Sequence, residues 1–275
     1  MRENSQGLRI LGRAKKHVNL RSGTSGSTDC LCYIDAPVPP KKKKKKTAKP
    51  RASAKRAKPA KAAGTDPKRV RAILEKLDKA YPAAICELSH DNPFQLLIST
   101  ILSAQCTDVR VNQVTQTLYK KYSTPEAFAY ANPKELEQEI RPTGFFRNKT
   151  KSIIGASKAV VETFGGKVPR TMEEILTLPG VARKTANVVL GTAYGIASGV
   201  VVDTHVQRIA GRLDLSRNTD PKKIEQDLIR VIPQEKWILF SHQIIWHGRR
   251  VCQARKPRCI ECNLERLCYS KDKTV

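Results

Sequence analysis

The sequence predicts an all-α fold preceded by a long basic tail. From about residue 65 onward, Asp or Thr repeatedly precedes Pro or a run of apolar residues at helical spacing, which is the signature of a helix N-terminus. Residues 94–102 are apolar on almost every side, as in a helix buried at the centre of a domain. Residues 199–202 alone look strongly β-like, and four residues are too few to found a sheet.

The basic tail covers residues 1–66. It contains six consecutive lysines at 41–46 and a Lys/Ala/Pro-rich repeat, and it carries 18 Lys and Arg against 4 Asp and Glu. Like charges repel and prolines interrupt helices, so we expect this tail to be disordered. It would act either as an electrostatic tether to nucleic acid or merely as a solvated extension of the chain. Cys30 and Cys32 lie in it and have no expected structural role.

The helices follow in order after the tail. Asp66 and Pro67 form an N-cap and first-turn pair, after which apolar residues fall on one helical face. Thr171 with Glu174 predicts a capping box, and Asp220 precedes Pro221 as at the first helix. Beyond the first helix and the apolar one, helices are predicted at residues 125–131, 133–140, 149–164, 171–177, 184–194, 204–213, 221–231 and 237–248.

Composition limits the possible functions. Lys and Arg number 51 against 25 Asp and Glu, a net charge of +26, which indicates a polyanionic partner. No apolar run approaches the roughly 20 residues of a membrane span, and the first residues lack the apolar block of a secretory signal. We therefore expect no membrane partner and an intracellular protein: cytoplasmic, and nucleoid-associated, in a bacterium, or nuclear in a eukaryote.

Residues 178–182 predict a tight hairpin between two helices. Proline ends the first helix, and Gly180 permits the positive φ of a sharp reversal. The next helix then begins with unpaired amides and the positive end of its dipole, which together bind a DNA phosphate without reading sequence. Gly180, Val181, Ala182 and Arg183 are the candidate contacts, although any two helices can be joined in this way.

Lys184 and Asp203 flank the helix that follows. A lysine at the positive end of a helix dipole favours the neutral amine, which is a nucleophile. The ordinary alternative is a solvated surface charge. Asp203 precedes Thr204 and is an ordinary N-cap candidate as well as a candidate catalytic carboxylate, and the two roles are compatible.

Four cysteines near the C-terminus, Cys252, Cys259, Cys262 and Cys268, have the spacing of a metal centre. Structural zinc sites normally contain two close pairs, whereas this set contains one Cys-x-x-Cys and wide outer gaps, so a four-iron cluster is favoured over zinc. Disulfides are the further alternative. Between the first two cysteines lies a basic loop, which ligation would hold against a phosphate backbone; its residues are Arg255, Lys256 and Arg258.

These features together resemble the endonuclease III family, DNA base-excision-repair enzymes of the helix-hairpin-helix glycosylase superfamily. The resemblance covers about residues 67–273 and leaves the tail outside. The matching motifs, besides the cysteine array, are ILSAQCTD at 101–108, TGFFRNK at 143–149, LPGVARKTANVVL at 178–190 and VDTHVQRIAGR at 202–212.

The resemblance implies two helical lobes: a six-helix barrel with the helix-hairpin-helix at residues 86–196, and a [4Fe-4S] lobe built from 67–85 and 197–275. It implies a monomer that acts on double-stranded DNA containing damaged pyrimidines or abasic sites. The Lys184 amine would attack C1′ of an oxidised pyrimidine nucleotide, expel the base and form a Schiff base that permits β-elimination of the 3′ phosphate. Asp203 would assist deprotonation of the lysine, and the cluster would be structural.

The resemblance also assigns DNA contacts. Gln105 and Phe145 would fill the gap left by the flipped nucleotide, with core packing as the alternative for Phe145. His205 would contact a phosphate or sugar. Three residues depart from the family pattern. Ala182 replaces a glycine of the hairpin, Phe145 a smaller aliphatic residue, and Cys106 a small residue, so base preference is the least determined property.

Two other functions compete. A monofunctional mismatch glycosylase, acting on adenine or thymine, shares the superfamily, but such enzymes normally lack a lysine at position 184, and the adenine enzymes continue into another domain. A non-catalytic helix-hairpin-helix module would use the hairpin, tail and cluster only to dock on DNA. Lys184 together with Asp203 argues against this second alternative.

Overall fold

The computed structural model describes residues 63–274. The predictions for residues 1–62, including Cys30, Cys32 and the lysine run, lie outside that range. Within the segment predicted to be disordered, residues Ala63–Thr65 form a short 3-10 helix, and Asp66 caps the first α-helix. No β-strand occurs in the described range, so residues 199–202 are part of an irregular connection. No helix among the described residues has the length and hydrophobicity to cross a membrane.

The described chain folds into eleven α-helices joined by short connections. In order they are α1 Pro67–Ala80, α2 Pro93–Leu102, α3 Asp108–Lys121, α4 Pro125–Ala129, α5 Pro133–Ile140, α6 Phe146–Phe164, α7 Met172–Ile175, α8 Arg183–Tyr194, α9 Thr204–Arg212, α10 Pro221–Val231 and α11 Trp237–Arg250. The all-α prediction is therefore confirmed for this part of the chain.

Side-chain caps start most of these helices where the sequence predicts. Asp66 accepts a hydrogen bond from the Arg69 amide at 3.1 Å, and Asp220 accepts one from the Lys223 amide at 3.0 Å. The Thr171 hydroxyl accepts from the Glu174 amide at 3.2 Å and donates to the Glu174 carboxylate at 2.9 Å. Each such cap stabilises its helix by about 1 kcal/mol.

Helix α3 is the principal element that the sequence pattern did not predict. Its buried residues fall at helical spacing, but they alternate with polar residues and form a weak signal; they are Val111, Val114, Thr115 and Leu118. Thr107 caps it, accepting from the Arg110 amide at 3.3 Å. Helix α6 also begins earlier than predicted, at Phe146, and α7 is a single turn.

Two hydrophobic cores organise the helices. The first core is formed by residues of α2 to α8 and includes the fully buried Leu97, Phe128 and Val189. The second core is formed by α1 together with α9 to α11, and its largest fully buried side chain is Phe240. Helix α2 packs on α8 inside the first core, whereas α1 and α9 both pack on α11 in the second.

Candidate active site

The connection between α7 and α8 is the predicted tight turn. Gly180 has φ +77°, and a Cβ atom added there would lie 2.4 Å from the Cβ of Ser152 in α6. Glycine is therefore required both by the backbone conformation and by the close approach of α6. Ala182 is the extended N-cap residue of α8 and supplies no side-chain hydrogen bond, so the first amides of α8 have no side-chain cap.

Lys184 lies in the first turn of α8 and is exposed. The opposite face of the helix is buried in the first core through Ala186, Val189 and Leu190. This anchoring fixes the helix while the lysine side chain remains accessible. Lys184 lines two adjoining cavities, and Asp203 lines both of them as well.

Asp203 is half-buried at the N-terminus of α9. One carboxylate oxygen, Oδ1, accepts hydrogen bonds from the amides of His205 and Val206, each at 2.8 Å. Because both bonds go to the same oxygen, Oδ2 is left out of the cap. The capping role and the position in the cleft thus coexist in one carboxylate.

The two cavities form a cleft between the two cores. The larger, about 550 Å³, contains four of the predicted site residues: Gln105, Lys184, Asp203 and His205. The smaller, about 80 Å³, is also lined by Lys184 and Asp203 and extends to Val188 and Trp246. Two surface depressions of about 670 and 750 Å³ are larger but contain neither Lys184 nor Asp203, so size alone does not identify the site.

Three charged residues of this cleft were not identified from the sequence. Arg249, near the end of α11, forms ion pairs with Glu87 and with Asp108, the latter at 2.7 Å. Asp108 ends the ILSAQCTD motif, but no sequence pattern assigns it a role. Arg249 belongs to a helix of the second core, whereas Glu87 and Asp108 lie on the side of the first, so the pairs span the cleft.

Gln105 and Phe145 share an uncommon backbone conformation. Their φ angles are +53° and +48°, in the left-handed region that non-glycine residues rarely adopt. Gln105 is exposed in the loop between α2 and α3, and Phe145, 62% exposed, directly precedes α6. Phe146 packs against the first core instead. Phe145 is therefore not a core residue.

The remaining predicted DNA contacts near the hairpin are constrained by neighbours. The Arg183 Nε donates to Glu225 Oε2 at 2.7 Å, and this hydrogen bond raises the pKa of Arg183. Val181 is buried, so only its backbone is available. Burial lowers the pKa of His205, as do the nearby Arg208 and Arg249, although Asp203 acts in the opposite direction. The imidazole is consequently neutral at physiological pH.

The four C-terminal cysteines line one cavity next to the second core. Arg212 donates from Nη1 to the sulfur of Cys252 at 3.2 Å, and the thiol of Cys268 lies 3.4 Å from the Arg212 carbonyl oxygen. The bond that the Cys252 sulfur accepts from Arg212 is of the kind that orients and stabilises a ligating thiolate, whereas the Cys268 contact requires a protonated thiol. In the basic loop, Arg255 and Lys256 are exposed, whereas Arg258 pairs with Glu261 at 3.1 Å.

Four cysteine sulfurs around one cavity are a donor set that a four-iron cluster takes. Within residues 63–274, no group of three or more His, Cys, Asp or Glu side chains is arranged to hold one metal ion. Zinc binds thiolates at about 2.3 Å, which brings its four ligands close together. An iron–sulfur cluster distributes its four thiolates over separate irons and so accepts cysteines spaced around a cavity.

Comparison with known proteins gives consistent matches. The HhH-GPD superfamily of base excision DNA repair proteins matches residues 98–234. An endonuclease III from Synechocystis sp. is 58% identical over 198 residues, covering 72% of this chain and 90% of the relative. An endonuclease III from Bacillus subtilis is 45% identical, covering 75% of this chain and 94% of the relative.

Solved structures also match the fold of this chain. A trapped endonuclease III–DNA covalent intermediate, in an estranged-adenine complex, superposes with a TM-score of 0.71 at 42% identity, covering 74% of this chain and 96% of the solved chain. A thermostable thymine-DNA glycosylase has a TM-score of 0.66 at 22% identity, covering 74% of this chain and 96% of its own, which shows a shared fold alone.

Proposed function

The chain belongs to the endonuclease III family, and on that premise we propose how its own residues perform the two reactions of the family. It is a base-excision-repair enzyme, a DNA N-glycosylase and abasic-site lyase. The observation that supports the assignment of residues is that Lys184 and Asp203, each at a helix N-terminus, line one cleft with Gln105 and His205.

Lys184 is the proposed nucleophile. Its neutral amine attacks C1′ of the flipped nucleotide; the new C1′–N bond replaces the glycosidic bond, and the base leaves with a proton. Opening of the sugar gives a Schiff base, which acidifies the hydrogen on C2′. Loss of that proton then expels the 3′ phosphate by cleavage of the C3′–O bond. Anchoring of α8 in the first core supports the fixed position that such an attack needs.

Asp203 is the proposed catalytic carboxylate. The two amides that bind Oδ1 hold it rigidly, and Oδ2 is free to accept a proton from the lysine or to face the developing positive charge at the sugar. Neutral His205, two residues later, contacts a phosphate or sugar oxygen through its ring N–H. An acid–base role for His205 is not needed.

The DNA contacts follow from the hairpin and the loops. The amides at Gly180, Val181, Ala182 and Arg183 receive a phosphate at the start of α8; because the Arg183 guanidinium is paired with Glu225, we assign its backbone amide rather than its side chain. Gln105 and Phe145 enter the base stack from two loops. Arg255, Lys256 and Arg258 approach the phosphate backbone from the cysteine loop.

We assign a structural [4Fe-4S] cluster to Cys252, Cys259, Cys262 and Cys268, which line one cavity. When bound, the cluster ties the C-terminal loops to the second core and supplies no redox chemistry to the reaction. The division into a barrel at 86–196 and a cluster lobe from 67–85 and 197–275 is proposed on the membership of the two cores.

The substrate proposed is double-stranded DNA containing an oxidised pyrimidine or an abasic site, bound by a monomer in the cytoplasm or nucleus of its host. Trapped and non-covalent endonuclease III–DNA complexes among the structural relatives support the DNA partner. Ala182 and Phe145 adjust which oxidised base is accepted. Monofunctional mismatch glycosylases and non-catalytic docking modules are not favoured, because the endonuclease III relatives match over 198 and 207 residues at 58% and 45% identity.

The test is borohydride trapping on duplexes with one abasic site or one oxidised pyrimidine. The wild-type protein forms a covalent adduct, and Lys184→Gln, which removes the nucleophilic amine, does not. Lys151→Gln, an equally polar change at an exposed position of α6, retains the adduct. An undiminished adduct in Lys184→Gln rejects the lysine assignment; release of base without strand cleavage in the wild type identifies a monofunctional enzyme.

A further inference from the structure

Lys149 is a buried lysine that the reaction described above does not use. It lies in the first turn of α6, within the TGFFRNK motif, and is 4% exposed. Its Nζ donates hydrogen bonds to the carbonyl oxygens of Leu102, at 2.7 Å, and Thr143, at 2.8 Å. An ammonium group with two backbone partners therefore replaces what would otherwise be apolar packing between α2 and α6.

The two carbonyls belong to the two loops that display Gln105 and Phe145. Leu102 is the last residue of α2, just before the turn in which the Cys106 amide bonds the Ser103 carbonyl at 3.1 Å. Thr143 ends the 3-10 turn before Gly144 and Phe145. Each loop is a tight local turn, and Lys149 joins the base of one to the base of the other.

A positive charge suits this place. The last carbonyls of α2 have no partner within their own helix, and a cation at a helix C-terminus interacts favourably with the helix dipole. Burial nevertheless lowers the pKa of Lys149, with Cys106 acting in the opposite direction. A methionine would fill the same volume without desolvating a charge, so packing alone does not account for a lysine here.

We propose that Lys149 is a positioning residue that fixes the spacing between Gln105 and Phe145, so that both side chains enter the base stack together when a nucleotide is flipped. The inference rests on the proposed role of those two residues in filling the gap. It requires no contact between Lys149 and DNA. Its consequence is selective: Lys149 matters where there is a base stack to enter, and not where the abasic sugar is already free.

The discriminating pair of substrates is a duplex with one oxidised pyrimidine and a single-stranded oligonucleotide with one abasic site. Only the duplex needs the two side chains in the stack, whereas Schiff-base formation at Lys184 is common to both. We expect full-length Lys149→Met to lose about 10- to 100-fold in the single-turnover excision rate on the duplex, as for a misplaced positioning group, while single-strand trapping stays within about twofold. Lys151→Met, the same change at an exposed site two residues on, retains both rates.

A fluorescent base analogue placed beside the lesion in the duplex supplies a second measurement. Its emission rises when the lesion nucleotide is flipped out and the neighbouring base loses its stacking partner. This rise should be reduced in Lys149→Met. If that variant does not fold, Lys149→Gln takes its place in the same assays, because its shorter neutral amide must show the same selectivity.

Equal losses on the two substrates would overturn the inference, because they would place Lys149 in general support of the catalytic centre or the fold. So would an unchanged duplex rate. Failure of the wild-type protein to trap on duplex abasic DNA would instead contradict the proposed function, and the two failures are therefore distinguishable.

Discussion

Arg183 and Glu225 join the start of α8 to α10 through a hydrogen bond of 2.7 Å between Nε and Oε2. The other oxygen of Glu225 accepts from the Asn187 side chain at 2.8 Å, and Ser198 in turn donates to Asn187 at 2.9 Å. Glu225 is only 5% exposed, so its charge is satisfied almost entirely by α8. The residue next to Lys184 is thus fixed by the second core as well as the first.

Glu225→Gln should destabilise the protein. An amide nitrogen replaces one acceptor and faces a donor from Arg183 or Asn187, leaving a buried polar group unsatisfied at a cost of about 1–3 kcal/mol. Urea unfolding measures this change. Glu235→Gln, at an exposed position before α11, is the control and should change little. Equal stabilities for the two variants would mean that the buried network contributes nothing.

Gly180→Ala should weaken both folding and DNA binding. The new Cβ meets Ser152 at 2.4 Å, and a φ of +77° is itself unfavourable for alanine by about 1–2 kcal/mol. Thermal unfolding and duplex-binding titrations measure the two effects. Gly211→Ala, in α9 with nothing within 4 Å of the new Cβ, is the control and should be neutral or stabilising.

Adding Ser152→Gly to Gly180→Ala separates the two causes. Removing the Ser152 side chain relieves the clash but not the strained φ, so the double variant should recover only part of the loss. Complete recovery would show that backbone conformation is unimportant at this turn.

The purified protein should contain iron and inorganic sulfide in a ratio of four to four per chain, with the brown colour of a cluster. Cys259→Ser should lower that content and destabilise the second core, because it removes one of the four thiolates around the cavity. Cys106→Ser, in the cleft of Lys184 and Asp203 rather than in the cysteine cavity, should keep the full iron and sulfide content. Zinc in place of iron, or retention of all iron by Cys259→Ser, would contradict the assignment.

Acid should destabilise the fold partly through His242. Burial in α11 lowers its pKa below the ordinary 6.5, so the unfolded chain binds more protons than the folded one between the folded pKa and 6.5. The contribution of His242 to the free energy of unfolding is therefore lost as pH falls from about 6.5 through the pKa of His242 in the folded state. His242→Gln should give a flatter decline in urea titrations over that range. A decline as steep as that of the wild type would exclude this contribution.

Removing residues 1–62 tests the tail while preserving Asp66, the cap of α1. If the tail tethers the enzyme, duplex affinity falls most at low salt, and the slope of log affinity against log salt becomes shallower by about 0.9 for each phosphate that the tail had neutralised. Excision by the bound enzyme should keep its rate. A changed order of preference among oxidised bases would instead place the tail at the lesion.

Most helices could be predicted because their start signals are local. Asp66 and Asp220 each precede proline, and these short-range patterns need no knowledge of the fold. Helix α3 could not be predicted because its buried face consists of only a few side chains among many polar ones. The cap at its start, the Thr107 hydroxyl that accepts from the Arg110 amide, was present in the sequence but not distinctive.

The site was predictable only in part. Lys184 and Asp203 flank one helix and could be paired through the hairpin pattern. Glu87 and Arg249 come from distant parts of the chain, and their ion pair depends on how the two cores meet. The hydrogen bond between Arg183 and Glu225 also depends on how the two cores meet. The sequence alone therefore does not show that the Arg183 guanidinium is already paired.

The ion pairs of Arg249 with Glu87 and Asp108 have a consequence for how the enzyme meets its substrate. They connect the two sides of the cleft before any DNA is bound, so a hinge motion between the sides would have to separate charges in a partly buried place. These contacts favour the observed arrangement of the two sides, and we therefore expect the deformation needed to expose a nucleotide to fall mainly on the double helix. Lesions that make the duplex easier to bend or unpair would then be found faster, whatever the contacts to the base itself.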